Sequence, residues 1–230
     1  MVVNASGQGQ ETAVLCSAGL DSAVLLAEEA RAGTVTPVYV SAGLAWEAAE
    51  RRALERLLAS PSFAGRVHPP VVLELTMRDL YAPTHWAIRG TPPAFDTPDE
   101  DVYLVGRNVV LLAKTAVLCA QRRIGRIALG PLAGNPFPDA TPAFFAAMAR
   151  ALSLGLAHPL AIVAPFAALH KDEVVKRGIA LGVPLELTLS CMSPRDDRHC
   201  GQCSKCRERR DAFREAGAAD PTVYATPPLR

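Results

Sequence analysis

Two stretches of this sequence hold residues whose types and spacing could do chemistry. The first, residues 13–22, reads AVLCSAGLDS. Residues 13–16 are a short apolar run suited to a buried strand, and Ala23, Val24, Leu25 and Leu26 begin an apolar stripe at helical spacing. Between them lie small residues and one carboxylate, the composition of a strand-to-helix turn. Such a turn aims backbone N–H groups and the positive end of a helix at one spot, which suits a phosphate. Ser17 and Ser22 can add hydroxyl donors, and Asp21 can hold a magnesium ion or cap the helix. An ordinary strand–turn–helix joint with a serine cap would use the same residue types. The second stretch, residues 191–206, reads CMSPRDDRHCGQCSKC. Two C-x2-C steps share Cys203, and Cys191 lies upstream across a polar loop. The thiolates of Cys191, Cys200, Cys203 and Cys206 can close a tetrahedral zinc site with no open position, which makes it structural. Metal bound there would hold down a segment with little apolar surface of its own. His199 is a further possible ligand, though four thiols suffice.

Composition narrows the rest. In 230 residues, half of them apolar and a fifth charged, the chain can bury one substantial core. A net charge of +1 gives no support for a nonspecific nucleic-acid or membrane binder. The segment 1–11 is polar and small, without the apolar core of a signal peptide, and no apolar run is long enough to span a bilayer. The expected compartment is the cytosol, where clustered cysteines point to metal rather than disulfides. Cys16 and Cys119, in apolar surroundings, read as core fillers.

Strands are expected at 35–41, 71–75, 126–130 and 160–164, in addition to 13–16. Helices are expected at 21–32, 46–59, 106–123, 141–155, 167–181 and 207–216. Strands that alternate with helices predict a Rossmann-like five-stranded parallel sheet covered on both faces. Pro37 suggests that the second strand is short or near its start. Residues 76–102 break the pattern with four prolines and several aromatics, so they read either as a lid or as a mobile surface loop. In the helix at 106–123, Val109, Leu112, Ala116 and Ala120 share one expected core face. The helix at 141–155 sets Phe144, Phe145, Met148 and Leu152 at core spacing.

Several polar residues fall where ligands bind. Arg107, with Asn108 beside it, opens a helix at the end where a cation is disfavoured; a phosphate or carboxylate partner would explain it, as would simple solvation. Lys171 stands in the same position on its own helix and hints at an anionic ligand. Asp139, at the carboxyl end of the fourth strand, suits either a polar substrate edge or the cap of the helix near Thr141. Arg207, Arg209 and Arg210 form either a basic patch or a solvated helix face.

The pattern Ser-x-Gly-x-Asp-Ser after a first strand resembles the pyrophosphate loop of the ATP pyrophosphatases that adenylate their substrates. It is not a Walker A loop, since G-x-x-x-x-G-K-[ST] is absent. Joined to the cysteine spacing, it resembles the 7-cyano-7-deazaguanine synthase (QueC) family over most of the chain. The resemblance also takes in Tyr103-Leu104-Val105-Gly106-Arg107-Asn108, Phe137-Pro138-Asp139, Lys171-Asp172-Glu173, Gly182-Val183-Pro184 and Thr188-x-Ser190-Cys191. It implies that 7-carboxy-7-deazaguanine is converted with ATP and ammonia to the nitrile, with Mg2+ at the nucleotide and Zn2+ at the four cysteines. It also implies a homodimer. Asp21 and Lys171 become the catalytic candidates. The nucleotide site would take in Cys16, Ser17, Ala18, Gly19, Leu20, Asp21, Ser22, Ala23, Val24, Leu25 and Leu26, with Arg107 and Asn108; Phe137 and Asp139 would meet the substrate. Residues 1–190 would form the nucleotide domain, and residues 191–230 a zinc-binding segment packed on it.

Departures from the family pattern leave other readings open. Ala18 replaces a usual glycine and fits only with negative φ. Ser41-Ala42-Gly43 stands where the family has Tyr-Gly-Gln, followed here by Trp46 and Glu47, and Ala140 stands where it has cysteine. A carboxylate–amine ligase or sulfur-transfer enzyme with another substrate would share the loop. A zinc-dependent nucleic-acid-binding module that has lost catalysis is a third reading.

Overall fold

A computed structural model describes residues 11–227, so the expectation about a signal peptide lies, Glu11 apart, outside the described residues. Five strands form one sheet: β1 (Thr12–Leu15), β2 (Val35–Ser41), β3 (Val71–Glu74), β4 (Arg126–Ala128) and β5 (Ala161–Val163). All neighbours pair in parallel, in the order β3-β2-β1-β4-β5. The helices are α1 (Leu20–Ala32), α2 (Glu47–Leu58), α3 (Trp86–Arg89), α4 (Arg107–Arg122), α5 (Pro142–Gly155), α6 (Lys171–Ala180) and α7 (Ser204–Glu215).

Strand residues alternate between two apolar clusters, as the pleat requires. Val14, Tyr39 and Ala128 join α1, α2, α6 and α7, whereas Ala13, Val38 and Ile127 join α4 and α5. The chain builds outward from β1 to β3, then crosses to the other side of β1 for β4 and β5. That reversal opens a crevice at the carboxyl ends of β1 and β4, the place where ligands bind in open parallel sheets.

Pro37 is the third residue of the seven-residue β2, near its start as expected, though the strand is not short. The Val35 amide donates to the Arg66 carbonyl and the His68 amide to the Val35 carbonyl, each at 2.9 Å. By the period of two, the nitrogen of Pro37 faces that same side, just ahead of β3, where no ladder donor is needed. In α4 the buried residues are Leu112, Thr115, Ala116, Leu118 and Cys119, and Val109 is exposed; the core stripe is rotated from the expected one. Helix α6 starts at Lys171 rather than at 167, where a capping box forms and the His170 amide donates to Glu173 Oε2 at 2.8 Å. Helix α7 starts at Ser204, so Cys206 stands in its first turn.

Residues 76–102 are largely irregular but are packed down. The Met77 amide donates to the Ala42 carbonyl at 2.8 Å and the Ala45 amide to the Ala87 carbonyl at 2.9 Å. Trp86 stacks on Trp46 with ring centroids 5.6 Å apart, and His85 stacks on Tyr81 at 4.9 Å.

Ala18 has φ 62°, contrary to the expected negative value. The left-handed region costs an L-residue about 1–2 kcal/mol. The Leu189 amide, which donates to the Ala18 carbonyl at 2.8 Å, helps hold it there. Helices α1 and α6 pack closely at Gly178, where an added Cβ would lie 2.8 Å from Val24 Cγ2 and 3.0 Å from Leu185 Cδ2. Gly178→Leu should therefore destabilise the protein by about 2 kcal/mol or more, read from urea unfolding midpoints.

Candidate functional site

The crevice holds two adjoining cavities of about 310 and 490 Å³, which share Ser17, Gly19, Asp21, Glu50, Arg107 and Phe137 among their walls. Its floor is the loop between β1 and α1. Gly19 caps α1 with extended backbone, the Ser22 hydroxyl donates to the Gly19 carbonyl at 3.0 Å, and Cys16 lies buried beneath. Ser17, Gly19, Asp21 and Ser22 face the cavity with Cys16. Ala18, Leu20, Ala23, Val24, Leu25 and Leu26 are fully buried and do not line it, because the inner stripe of α1 packs against the sheet and α6. Burial raises the Cys16 thiol, and it pushes that of Cys119 up to about 12; both are core thiols, as their apolar surroundings suggested.

Beside the loop, Lys171 Nζ lies 3.0 Å from Asp21 Oδ2 and 2.5 Å from Glu208 Oε1. Burial alone would lower this ammonium, but the two carboxylates hold it above its ordinary value. Burial would likewise raise Glu208, yet Lys171 and Lys205 bring it down to about 2. The anions facing Lys171 thus belong to the protein itself. Asp21 Oδ1 is buried with no hydrogen-bond partner among the described residues. A buried carboxylate oxygen left bare in this way is an unmet demand for a cation or a donor, and the hard oxygen suits Mg2+.

On the facing wall, α2 carries two glutamates that the sequence reading did not single out as site residues. Glu47 accepts from the Ser41 hydroxyl at 2.6 Å, from the Ala42 amide at 2.7 Å and from the Gly43 amide at 3.2 Å. Glu50 accepts from the Tyr39 hydroxyl at 2.9 Å, and burial pushes its carboxyl up to about 7 against the pull of Arg107. A glutamate one turn into an amphipathic helix reads in sequence as solvated; here Tyr39 and the segment 41–43 meet both carboxylates with donors instead. Arg107 lines both cavities and makes no side-chain hydrogen bond or ion pair among the described residues.

Asn108 and Asp139 are brought together. The Asn108 amide donates to Asp139 Oδ2 at 2.9 Å and its side chain to the Asp139 carbonyl at 3.0 Å. Asp139 therefore caps α4, while Thr141 caps α5 through the Phe144 amide at 3.2 Å. Phe137 stacks on Tyr103 at 5.0 Å along the crevice.

The four cysteines gather beside the larger cavity, which Cys191 alone of them lines. All are buried, and their Sγ atoms lie within 4.8 Å of one another. The shorter separations, 3.5 and 3.9 Å, match the edge of about 3.8 Å expected for four thiolates about 2.3 Å from a tetrahedral zinc. Backbone N–H groups already point at the sulfurs, from Ser193 and Cys200 to Cys191 and from Gln202 to Cys200. The cluster could hold zinc. His199 is no ligand here, because its Nε2 accepts the Ser190 amide at 3.0 Å.

Arg209 corrects the basic-patch reading. It is fully buried, donating to Thr188 Oγ1 and to the Leu185 carbonyl, each at 2.8 Å, and lying over the Phe213 ring at 5.2 Å. Arg207 donates to the Thr97 carbonyl at 3.1 Å and Arg210 covers Phe95. No helix among the described residues is long and apolar enough to cross a membrane.

Fold and site together define a Rossmann-like parallel α/β protein, with a turn suited to phosphate at its switch point and a four-cysteine centre beside it. The chain belongs to the QueC family: the family model described as "Queuosine biosynthesis protein QueC" matches residues 11–217. A 7-cyano-7-deazaguanine synthase of Methanopyrus kandleri is 36% identical over 93% of this chain and 98% of its own. One of Anaeromyxobacter dehalogenans is 34% identical over 97% of this chain and 100% of its own. One of Methanoculleus marisnigri reaches 43%, but over 53% of this chain and 56% of its own.

The raised Glu50 carboxyl gives a signed pH dependence. Between its ordinary value of 4.5 and about 7, the folded protein holds a proton that the unfolded chain has released, so stability falls as pH rises through that window. Glu50→Gln should flatten the fall, by on the order of 2 kcal/mol, in urea unfolding compared at about pH 5 and about pH 8.

Proposed function

We propose that the protein converts 7-carboxy-7-deazaguanine and ammonia to 7-cyano-7-deazaguanine, acting as an ATP-dependent C–N ligase in the cytoplasm. One observation carries the reading: the family match at 11–217 runs through both the turn at Ser17–Ser22 and the four cysteines. A carboxylate becomes a useful electrophile only when its oxygen can leave, and adenylation with ATP supplies that. Ammonia displaces AMP to give the amide; a second adenylation, again releasing pyrophosphate, lets the amide oxygen leave as AMP while the nitrogen gives up its two protons, which leaves the nitrile.

The protein's own part is binding and positioning. The amides of the turn, with the Ser17 and Ser22 hydroxyls, would hold the departing pyrophosphate. Asp21, through the bare Oδ1, would hold Mg2+, which supplies charge stabilisation at the phosphates. Lys171 keeps Asp21 in place through Oδ2. Arg107 is placed to meet an anion across the crevice. Cys16 would pack beneath the nucleotide, and Ala18 and Leu20 would frame the turn. Ala23, Val24, Leu25 and Leu26 would serve as the apolar anchor of α1. Asn108 and Asp139 would shape the substrate wall that Phe137 completes. The zinc-binding segment 191–230 would pack on the nucleotide domain 1–190, with Zn2+ on the four cysteines and a second copy of the chain completing a homodimer. The burial of Arg209 removes the patch on which a nucleic-acid-binding reading leaned.

Purified protein incubated with 7-carboxy-7-deazaguanine, ammonium and Mg·ATP should yield, by mass spectrometry, a product that has gained one ammonia and lost two waters. Recovery of unreacted acid would reject this substrate. Asp21→Asn should lower turnover by about 100-fold or more with zinc content unchanged, on the scale of losing a group that stabilises transition-state charge. Cys203→Ser should instead lower both zinc content and the thermal midpoint.

A further inference from the structure

Leu189 and Ser190, which lead into Cys191, line the larger cavity of the crevice and grip the phosphate turn beside it. The Leu189 amide donates to the Ala18 carbonyl at 2.8 Å, and the Leu20 amide donates to Ser190 Oγ at 3.2 Å. The amide of Ser190 donates in turn to His199 Nε2 at 3.0 Å, and the neighbouring Cys200 amide donates to Cys191 Sγ at 3.3 Å. A continuous path of bonds therefore runs from the thiols to the turn. Ala18 needs such support, because its φ of 62° is one that a residue with a Cβ avoids. With the Leu20 amide taken by Ser190, the amides of Asp21 and Ser22, which have no partner inside the helix, are left for phosphate.

We infer that Ser190 is a positioning residue for the nucleotide, and that closure of the cysteine centre fixes Leu189 and Ser190 so that the turn keeps its phosphate-receiving shape. Nucleotide affinity then depends on metal at a centre of which only Cys191 lines the cavity. The inference rests on reading the turn at Ser17–Ser22 as the triphosphate site.

The test measures binding of magnesium and α,β-methylene-ATP, which resists cleavage at the proposed α–β position, by titration calorimetry. Ser190→Ala keeps all four cysteines. It should raise Kd about tenfold, near the upper range for a lost hydrogen bond, with zinc content and thermal midpoint close to wild type. Ser190→Thr, which restores a hydroxyl, should recover most of the affinity. Wild-type protein stripped of zinc but still folded by circular dichroism should bind more weakly, and added zinc should restore it. Wild-type affinity in Ser190→Ala or in the stripped, folded protein would overturn the inference, as would failure of threonine to rescue. Loss of zinc from Ser190→Ala would also overturn it, since the hydroxyl would then act on the metal centre rather than on the turn. If the zinc-loaded wild type bound no nucleotide at all, the triphosphate reading itself would fall.

Discussion

An ammonium group taken out of water must find negative charge close at hand, and Lys171 does so by binding Asp21 and Glu208 together. The three residues come from α6, α1 and α7, so one cation ties the helix behind the turn to the helix that carries Cys206. Unpaired, the buried charge would cost several kcal/mol. Paired, it fixes three helices relative to one another and leaves one oxygen of Asp21 without a partner among the described residues. The position of that oxygen, and with it any role for Asp21 toward a cation, follows from the ion pair behind it.

The opposite wall shows how neighbouring residues of one type acquire different chemistry. Glu47 and Glu50 lie one turn apart on α2, and both are buried. Glu47 is surrounded by three donors, two of them backbone amides of Ala42 and Gly43. Small residues at 41–43 let the chain fold closely around that carboxylate, which gives the departure from the family's Tyr-Gly-Gln a local structural meaning. Glu50 accepts from the Tyr39 hydroxyl, but its burial outweighs that bond and the pull of Arg107, so its charged form is disfavoured.

The sheet was legible because a parallel sheet buries both faces and writes its strands as short apolar runs between amphipathic helices. All five strands and the main helices fall within a few residues of expectation, and the cysteines meet as their spacing implied. What stayed hidden depends on contacts distant in the chain. The left-handed φ of Ala18 is held from Leu189, and the burial of Arg209 reflects acceptors at Thr188 and Leu185. The role of Asp139 as the cap of α4 follows from an approach that local pattern leaves open between two helices. Residues 76–102 read as a lid or a mobile loop by proline count and aromatics; what packs them down is aromatic stacking and backbone bonds to 42–45, which have no period in sequence.

The serine that steadies the turn is 170 residues away from the amide it accepts, and β1, near the start of the chain, has β4 as one of its two neighbours. During synthesis on the ribosome, the first strand must wait with one edge open until β4, which begins at Arg126, has emerged. The turn after it gains its last restraint only when the cysteine segment arrives. Unpaired strand edges in a partly made chain invite aggregation.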